Sequence, residues 1–300
     1  MGLDVSAAFM ASPITEKVIL MLPTSYTWDD GSRVYLLCYK ALNGLRSSGK
    51  AWVLHLANVA KEAGLTAGRV ETTLFAGYFM NGRDWVQLVS YVDDILIFSE
   101  SLTTCQKVYD FFSKRLKIKE TGRIDKRSGQ IKFLGREISR KDGEFGLSIA
   151  IPSGYFDPCF VAFGIVKGSD TPPDFRSILD DQNELLNQEI SQEAYERYRS
   201  VLGKLSWASQ TRQDLVIYLS LLSLGMARPL QKHEKAMRAL LRFLYNQQTM
   251  VQHYPSKEHI DEMHIHSYRL IGYTDSSWAP LELLRRRSIS GGFIFSMVVV

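Results

Sequence analysis

The sequence is poor in cysteine, with 3 in 300 residues. Cys38, Cys105 and Cys159 are scattered, odd in number and without metal-type spacing. That argues against a disulfide framework and points to reduced, buried thiols in an intracellular protein. Long apolar runs are also missing, and none approaches the length that spans a bilayer. No basic segment followed by an apolar core stands at the start, so no signal peptide is visible. Charge of one sign is not dominant either. The net charge is +4 and the isoelectric point about 8.8, a balance that permits nucleic-acid contact without demanding it. What remains, 45% hydrophobic and 23% charged residues, is an ordinary globular composition. A chain of 300 residues has room for one large domain or two smaller ones. Strand-like apolar sequence stands at both extremes, Met1-Gly-Leu-Asp-Val and Phe293 to Val300. Termini are usually polar, so a piece of something larger is expected.

The chain is organised around Trp85-Val-Gln-Leu-Val-Ser-Tyr91-Val-Asp93-Asp94-Ile-Leu-Ile-Phe98. Two runs rich in strand-favouring residues flank adjacent carboxylates, which places Asp93 and Asp94 at a hairpin tip. Asn-Gly or Asp-Gly is far commoner there. Like charges side by side repel, and divalent cations would relieve the repulsion. Solvated turn residues are the alternative.

Asp4 lies in the short apolar stretch Leu3 to Phe9, where capping of a following turn is the simple role. Strands are expected at 14–22 and 34–38. Between Lys40 and Trp52 comes a Gly-, Ser- and base-bearing stretch with Asn43, Gly44, Arg46 and Lys50. It precedes a helix whose stripe is Trp52, Leu56, Val59, Ala60 and Ala63, closed by Gly64. Amides at a helix start beside Arg46 and Lys50 suit a phosphate, and an ordinary loop with solvated bases suits the same residues. Ser101 caps a helix with Cys105, Val108, Phe112 and Leu116 inward. A basic run follows, from Lys114 through Lys119 and Arg123 to Lys132. It suits a solvated face or a phosphate backbone. Ile131 to Ile138 is expected as one strand with a kink at Gly135, with 147–151 as its hairpin partner.

Composition shifts near Pro152. The turn-rich stretch 152–190, with Pro158, Pro172 and Pro173, is expected to be a linker. Three helices should follow, the first capped by Ser191, the second over 215–226 and the third over 233–245. His233 is expected at the surface. Two strands joined by a loop with Arg285, Arg286 and Arg287 should end the chain, the first interrupted or ended by Asp275.

Taken together these stretches resemble the reverse transcriptase of copia-type LTR retrotransposon polyproteins. Asp4-Val-Ser-Ala-Ala-Phe9 is similar to its first catalytic motif, and Lys40 to Trp52 to its template- and nucleotide-contacting motif. Tyr91-Val-Asp93-Asp94 resembles its metal-binding hairpin and Phe133-Leu-Gly135 the hairpin after it. Tyr198 to Leu205, with Thr211-Arg-Gln-Asp214, resembles the connecting region. Gly272 to Ala279 and Arg286 to Gly291 resemble the opening of its ribonuclease H domain. The departures are Asn43 in place of a usual Tyr, Gly49-Lys50 in place of Pro-Arg, Gln213 in place of Pro, and no glycine around Ser12. Fingers residues before the first motif are expected to be missing.

The resemblance implies an α+β, right-hand polymerase fold. Residues 1–151 would form an antiparallel palm with partial fingers, 152–190 a linker or thumb start, and 191–265 a helical thumb and connection. Residues 266–300 would begin a truncated ribonuclease H-like domain. It implies RNA-directed DNA polymerisation on an RNA template and DNA primer with deoxynucleoside triphosphates, using two Mg2+ ions or Mn2+ in their place. Asp4 and Asp93 would be direct metal ligands and Asp94 would support the site. Phe9 would gate against a ribose 2′ hydroxyl, with Asn43, Gly44, Arg46 and Tyr91 beside nucleotide and template. Other segments of the parent polyprotein would be partners. The location would be the cytoplasm, in a virus-like particle, or the nucleus, with no secretion and no membrane. Asp275 would be the single remaining ribonuclease H carboxylate, so no ribonuclease H activity is expected, because a two-metal nuclease does not run on one acid. The competing reading is a degenerate, non-catalytic remnant that at most binds nucleic acid.

Overall fold

The computed structural model describes residues 1–125, 127–141 and 146–254, and the backbone of 267–277 and 289–299. The chain divides into two compact units, Met1–Asp142 and Gly143–Val300.

The first unit runs β1 (Gly2–Val5), α1 (Ala8–Ala11), β2 (Pro13–Met21), β3 (Tyr35–Lys40), α2 (Ser48–Glu62), β4 (Thr66–Ala67), β5 (Leu74–Tyr78), β6 (Trp85–Tyr91), β7 (Asp94–Ser99), α3 (Leu102–Ser113), β8 (Ile118–Ile124), β9 (Gly129–Phe133) and β10 (Arg136–Arg140). Its main sheet has the order β10-β9-β8-β1-β7-β6-β5-β4, with antiparallel pairing between β1 and both β7 and β8. β2 and β3 form a separate antiparallel pair.

Side-chain alternation explains the sheet. Along β6, Val86, Leu88 and Ser90 point inward and their neighbours outward. β7 is buried over three successive residues, Ile95, Leu96 and Ile97, as suits a strand covered on both faces. The expected helical stripes pack on this sheet. Trp52, Leu56, Val59 and Ala60 of α2 and Cys105, Val108 and Phe112 of α3 share one core with Leu3, Val5, Leu88 and Ile95. Ser101 caps α3 by accepting from the Thr104 N–H at 3.1 Å.

One expectation fails here. Residues 131–138 are not a kinked strand. The chain reverses at Leu134 and Gly135, whose φ angles are 50° and 71°, and β9 pairs with β10. The segment Leu147–Ala150 belongs to the second unit and pairs there with residues 252–254.

The second unit contains β11 (Leu147–Ala150), α4 (Asp157–Phe163), α5 (Phe175–Leu179), α6 (Gln192–Ala208), α7 (Val216–Leu224), α8 (Gln231–Asn246), β12 (Gln252–Tyr254), β13 (Ser267–Ser277) and β14 (Ile289–Val299). The stretch expected as a linker or thumb start carries the helices α4 and α5. Pro158 occupies the first turn of α4, where its missing N–H costs nothing. Phe156, Phe160 and Phe163 then enter a core with Phe175, Tyr198, Leu202, Leu222 and Leu240. Ser191 caps α6 through the Ala194 N–H at 3.3 Å. β13 and β14 pair over their whole length, and Asp275 stands inside β13 opposite Gly291, so it neither interrupts nor ends the strand. Arg285, Arg286 and Arg287 lie outside the described residues.

His233 is buried, not superficial, at 2% exposure. Its Nδ1 accepts the Leu230 N–H at 2.9 Å, and its Nε2 is buried with no partner. Gly225 makes room for the ring, since a Cβ there would lie 2.5 Å from it. Burial holds the imidazole pKa down at about 4, against an ordinary 6.5. A histidine that prefers to be neutral when folded gives stability above its unfolded pKa and takes it away as pH falls. The chain is therefore expected to lose about 2 kcal/mol between pH 7 and about pH 5 from this group alone. Denaturant unfolding at the two pH values checks it. In His233→Asn, whose Oδ1 can take the Leu230 N–H without titrating, that part of the loss should vanish.

Candidate active site

β1 lies between β7 and β8, and this position decides the neighbours of Asp4. Asp4 is the direct cross-strand partner of Asp94 on one side and of Lys119 on the other. The β6–β7 hairpin closes at the Tyr91 and Asp94 pair, leaving Val92 and Asp93 as its two-residue turn. Val92 has φ 54°. A β-branched residue there is strained, because its Cβ crowds the backbone, and glycine is the usual occupant. Two hydrogen bonds hold the turn. The Val5 N–H donates to Asp93 O at 2.8 Å, and the Trp52 Nε1–H donates to Val92 O at 2.6 Å.

The β9–β10 turn closes the other side. The Leu134 N–H donates to Asp94 Oδ2 at 3.1 Å. Asp4, Asp94, Lys119, Lys132, Phe133 and Leu134 line a cleft of about 400 Å³. The Asp94 carboxyl has its pKa raised, first by burial and then by the nearby charges of Asp93 and Asp4, while the Leu134 amide works against the rise. Carboxylates crowded together in this way favour either a proton or a cation.

Asp4 and Asp94 thus converge, and Asp93 sits exposed on the adjoining turn. Phe9 is half-buried on α1 and packs against the core. Asn43, Gly44 and Arg46 are exposed in the loop before α2, and Tyr91 is exposed at the hairpin end. Asp275 belongs to the second unit. Sequence reading missed the Leu134 amide, the Trp52 indole and the placement of Lys119 and Lys132 at the cleft. Cross-strand register brings the lysines there, and a run of bases carries no sign of register.

Hard oxygen donors fit Mg2+ or Mn2+. Among the described residues no group of three or more His, Cys, Asp and Glu side chains is gathered closely enough to hold a metal ion alone. Mg2+ does not need such a cage, since it keeps several waters and binds one or two carboxylates together with substrate phosphates. Asp4 and Asp94, paired across the strands, and Asp93 on the adjoining turn are carboxylates of that kind.

Residues 1–152 match the family model described as reverse transcriptase (RNA-dependent DNA polymerase). The chain belongs to this family. Relatives of this chain include the retrovirus-related Pol polyprotein from transposon RE1 of Arabidopsis thaliana, 27% identical over 246 residues, or 81% of this chain. The putative transposon Ty5-1 protein of Saccharomyces cerevisiae is 26% identical over 259 residues, covering 85% of this chain and 79% of that protein. The transposon RE2 polyprotein of Arabidopsis thaliana is 25% identical over 249 residues. The chain spans 16% of the length of the RE1 and RE2 polyproteins.

Proposed function

We propose that this chain is the RNA-directed DNA polymerase portion of a copia-type retrotransposon polyprotein, adding deoxynucleotides to a primer 3′ hydroxyl on an RNA template. The observation that carries the reading is the direct pairing of Asp4 with Asp94 beside the Asp93 turn. It falls within the residues that match the reverse transcriptase family.

Asp4 and Asp93 hold the metals in this reading, and Asp94 supports them from its tie to Leu134. Two divalent cations, when bound, would lower the hydroxyl's pKa, steady the leaving pyrophosphate and favour in-line geometry. Lys119 and Lys132, which line the same cleft, attract the phosphates of the primer strand. The loop with Asn43, Gly44 and Arg46 receives nucleotide and template, and Tyr91 adjoins them. The first unit then acts as palm, and the helices α6 to α8 as thumb and connection gripping the duplex by its backbone.

Phe9 supplies the test of substrate class. Its ring would clash with a ribose 2′ hydroxyl, so Phe9→Val should raise ribonucleotide relative to deoxynucleotide incorporation by about 10-fold or more. Competing single-nucleotide extensions measure that ratio. An unchanged ratio would remove Phe9 from the site. Nucleotide incorporation that needs neither primer nor RNA template would count against the polymerase reading itself.

A further inference from the structure

The strained turn at Val92 needs an explanation that the carboxylates do not give. A non-glycine residue in the left-handed region is strained and persists only where its surroundings over-determine it. The Trp52 indole is that constraint from the helix side. Its ring is 2% exposed, its N–H can only donate, and the acceptor it meets is the carbonyl of Val92, at 2.6 Å.

The same helix holds the substrate loop. Ser48, buried at the first turn of α2, donates its hydroxyl to Leu42 O at 2.5 Å and its N–H to Leu45 O at 3.2 Å. The loop's start is fixed as well, through the Ala41 N–H and Ser12 O at 3.0 Å. Ser48 and Trp52 are four residues apart, one above the other on the same helix face. A single turn of α2 therefore grips the loop bearing Asn43, Gly44 and Arg46 at one end and the aspartate hairpin at the other.

We propose that Trp52 is a positioning residue, whose indole N–H sets the Asp93 turn relative to the loop bearing Asn43, Gly44 and Arg46. The catalytic consequence rests on the polymerase reading, and the structural link does not. Phenylalanine keeps most of the ring volume and deletes the donor. Trp52→Phe frees the Val92 carbonyl and lets the turn relax, while the rest of the core stays filled. Leu56→Ala, one turn further along the buried face of α2, is the control that costs core stability without removing a hydrogen bond to the hairpin turn.

Two readouts test this on the full chain. The first is amide and indole hydrogen exchange by NMR. The Trp52 indole proton should be strongly protected, and the Val5 amide, which bonds to Asp93 O, should exchange about 10-fold faster or more in Trp52→Phe than in Leu56→Ala. The second is primer extension. Trp52→Phe should lower kcat about 10- to 100-fold, as the loss of a supporting hydrogen bond does in other sites, with KM for the deoxynucleotide changed less than about twofold. A fast-exchanging indole, or a Val5 amide equally protected in both variants, overturns the proposal whatever the activity. If the parent chain extends no primer while the exchange result holds, the polymerase reading fails and the positioning link stands. If Leu56→Ala loses kcat as far as Trp52→Phe does, the effect is general destabilisation and the proposal falls.

Discussion

Replacing Arg212 with alanine should destabilise the helical unit by about 3–5 kcal/mol. The side chain is fully buried, at 0% exposure. Its Nε and Nη2 fork onto the Asp214 carboxylate at 2.9 and 2.8 Å, and its Nη1 donates to Gln247 O at 2.5 Å. Arg212 follows α6, Asp214 lies in the turn that opens α7, and Gln247 caps α8. One guanidinium thus ties together the ends of three helices. Its removal leaves a carboxylate without its counter-charge and a helix-end carbonyl without its donor, and each loss is costly. Lysine keeps the charge but not the planar fork, so Arg212→Lys should recover only part of the loss. Denaturant midpoints of the parent and the two variants measure it. A loss below about 1 kcal/mol in Arg212→Ala would show that the fork contributes little.

The second large effect separates stability from chemistry. Asp94→Asn should raise the thermal midpoint while cutting primer extension at least about 100-fold. The sign follows from the raised pKa of Asp94, caused first by burial and then by Asp93 and Asp4. A carboxyl whose folded pKa is raised stabilises the fold while protonated, below its unfolded value, and that contribution is lost as pH rises through the folded pKa. At neutral pH the group is therefore a burden on the fold. Asparagine removes the charge and can still accept the Leu134 N–H through its own oxygen. The stability gain should disappear at low pH, where Asp94 is protonated in the parent too. Unfolding scans across pH with parallel extension assays check both halves. A variant that is destabilised at neutral pH would contradict this account of the carboxylate cluster.

The aspartate hairpin was legible because β6 and β7 are dense in strand-favouring residues, and the reversal falls where the charges interrupt them. The α2 and α3 stripes and the Ser101 and Ser191 caps were legible for the same local reason. The β9–β10 hairpin was not, because Leu134 takes a positive φ that its side chain gives no sign of. The folding of 157–163 was masked by Pro158, although Phe156, Phe160 and Phe163 already carried a helical spacing. The burial of His233 depended on a glycine eight positions earlier in the chain. At the site, the nearness of Asp4 to Asp94 is a matter of strand order, which sequence patterning alone leaves open. The family resemblance supplied what local physics did not.

The measurement that bears most directly on the central claim is extension of a DNA primer on an RNA template with Mg2+, comparing this chain with its Asp93→Asn variant. Asp93 is exposed on the turn, so its replacement should leave the fold intact. The account predicts template-directed extension by the parent and almost none by the variant. Equal extension by both would contradict the role of the hairpin. No extension by either folded protein would contradict the polymerase function and leave a reverse transcriptase fold that no longer catalyses.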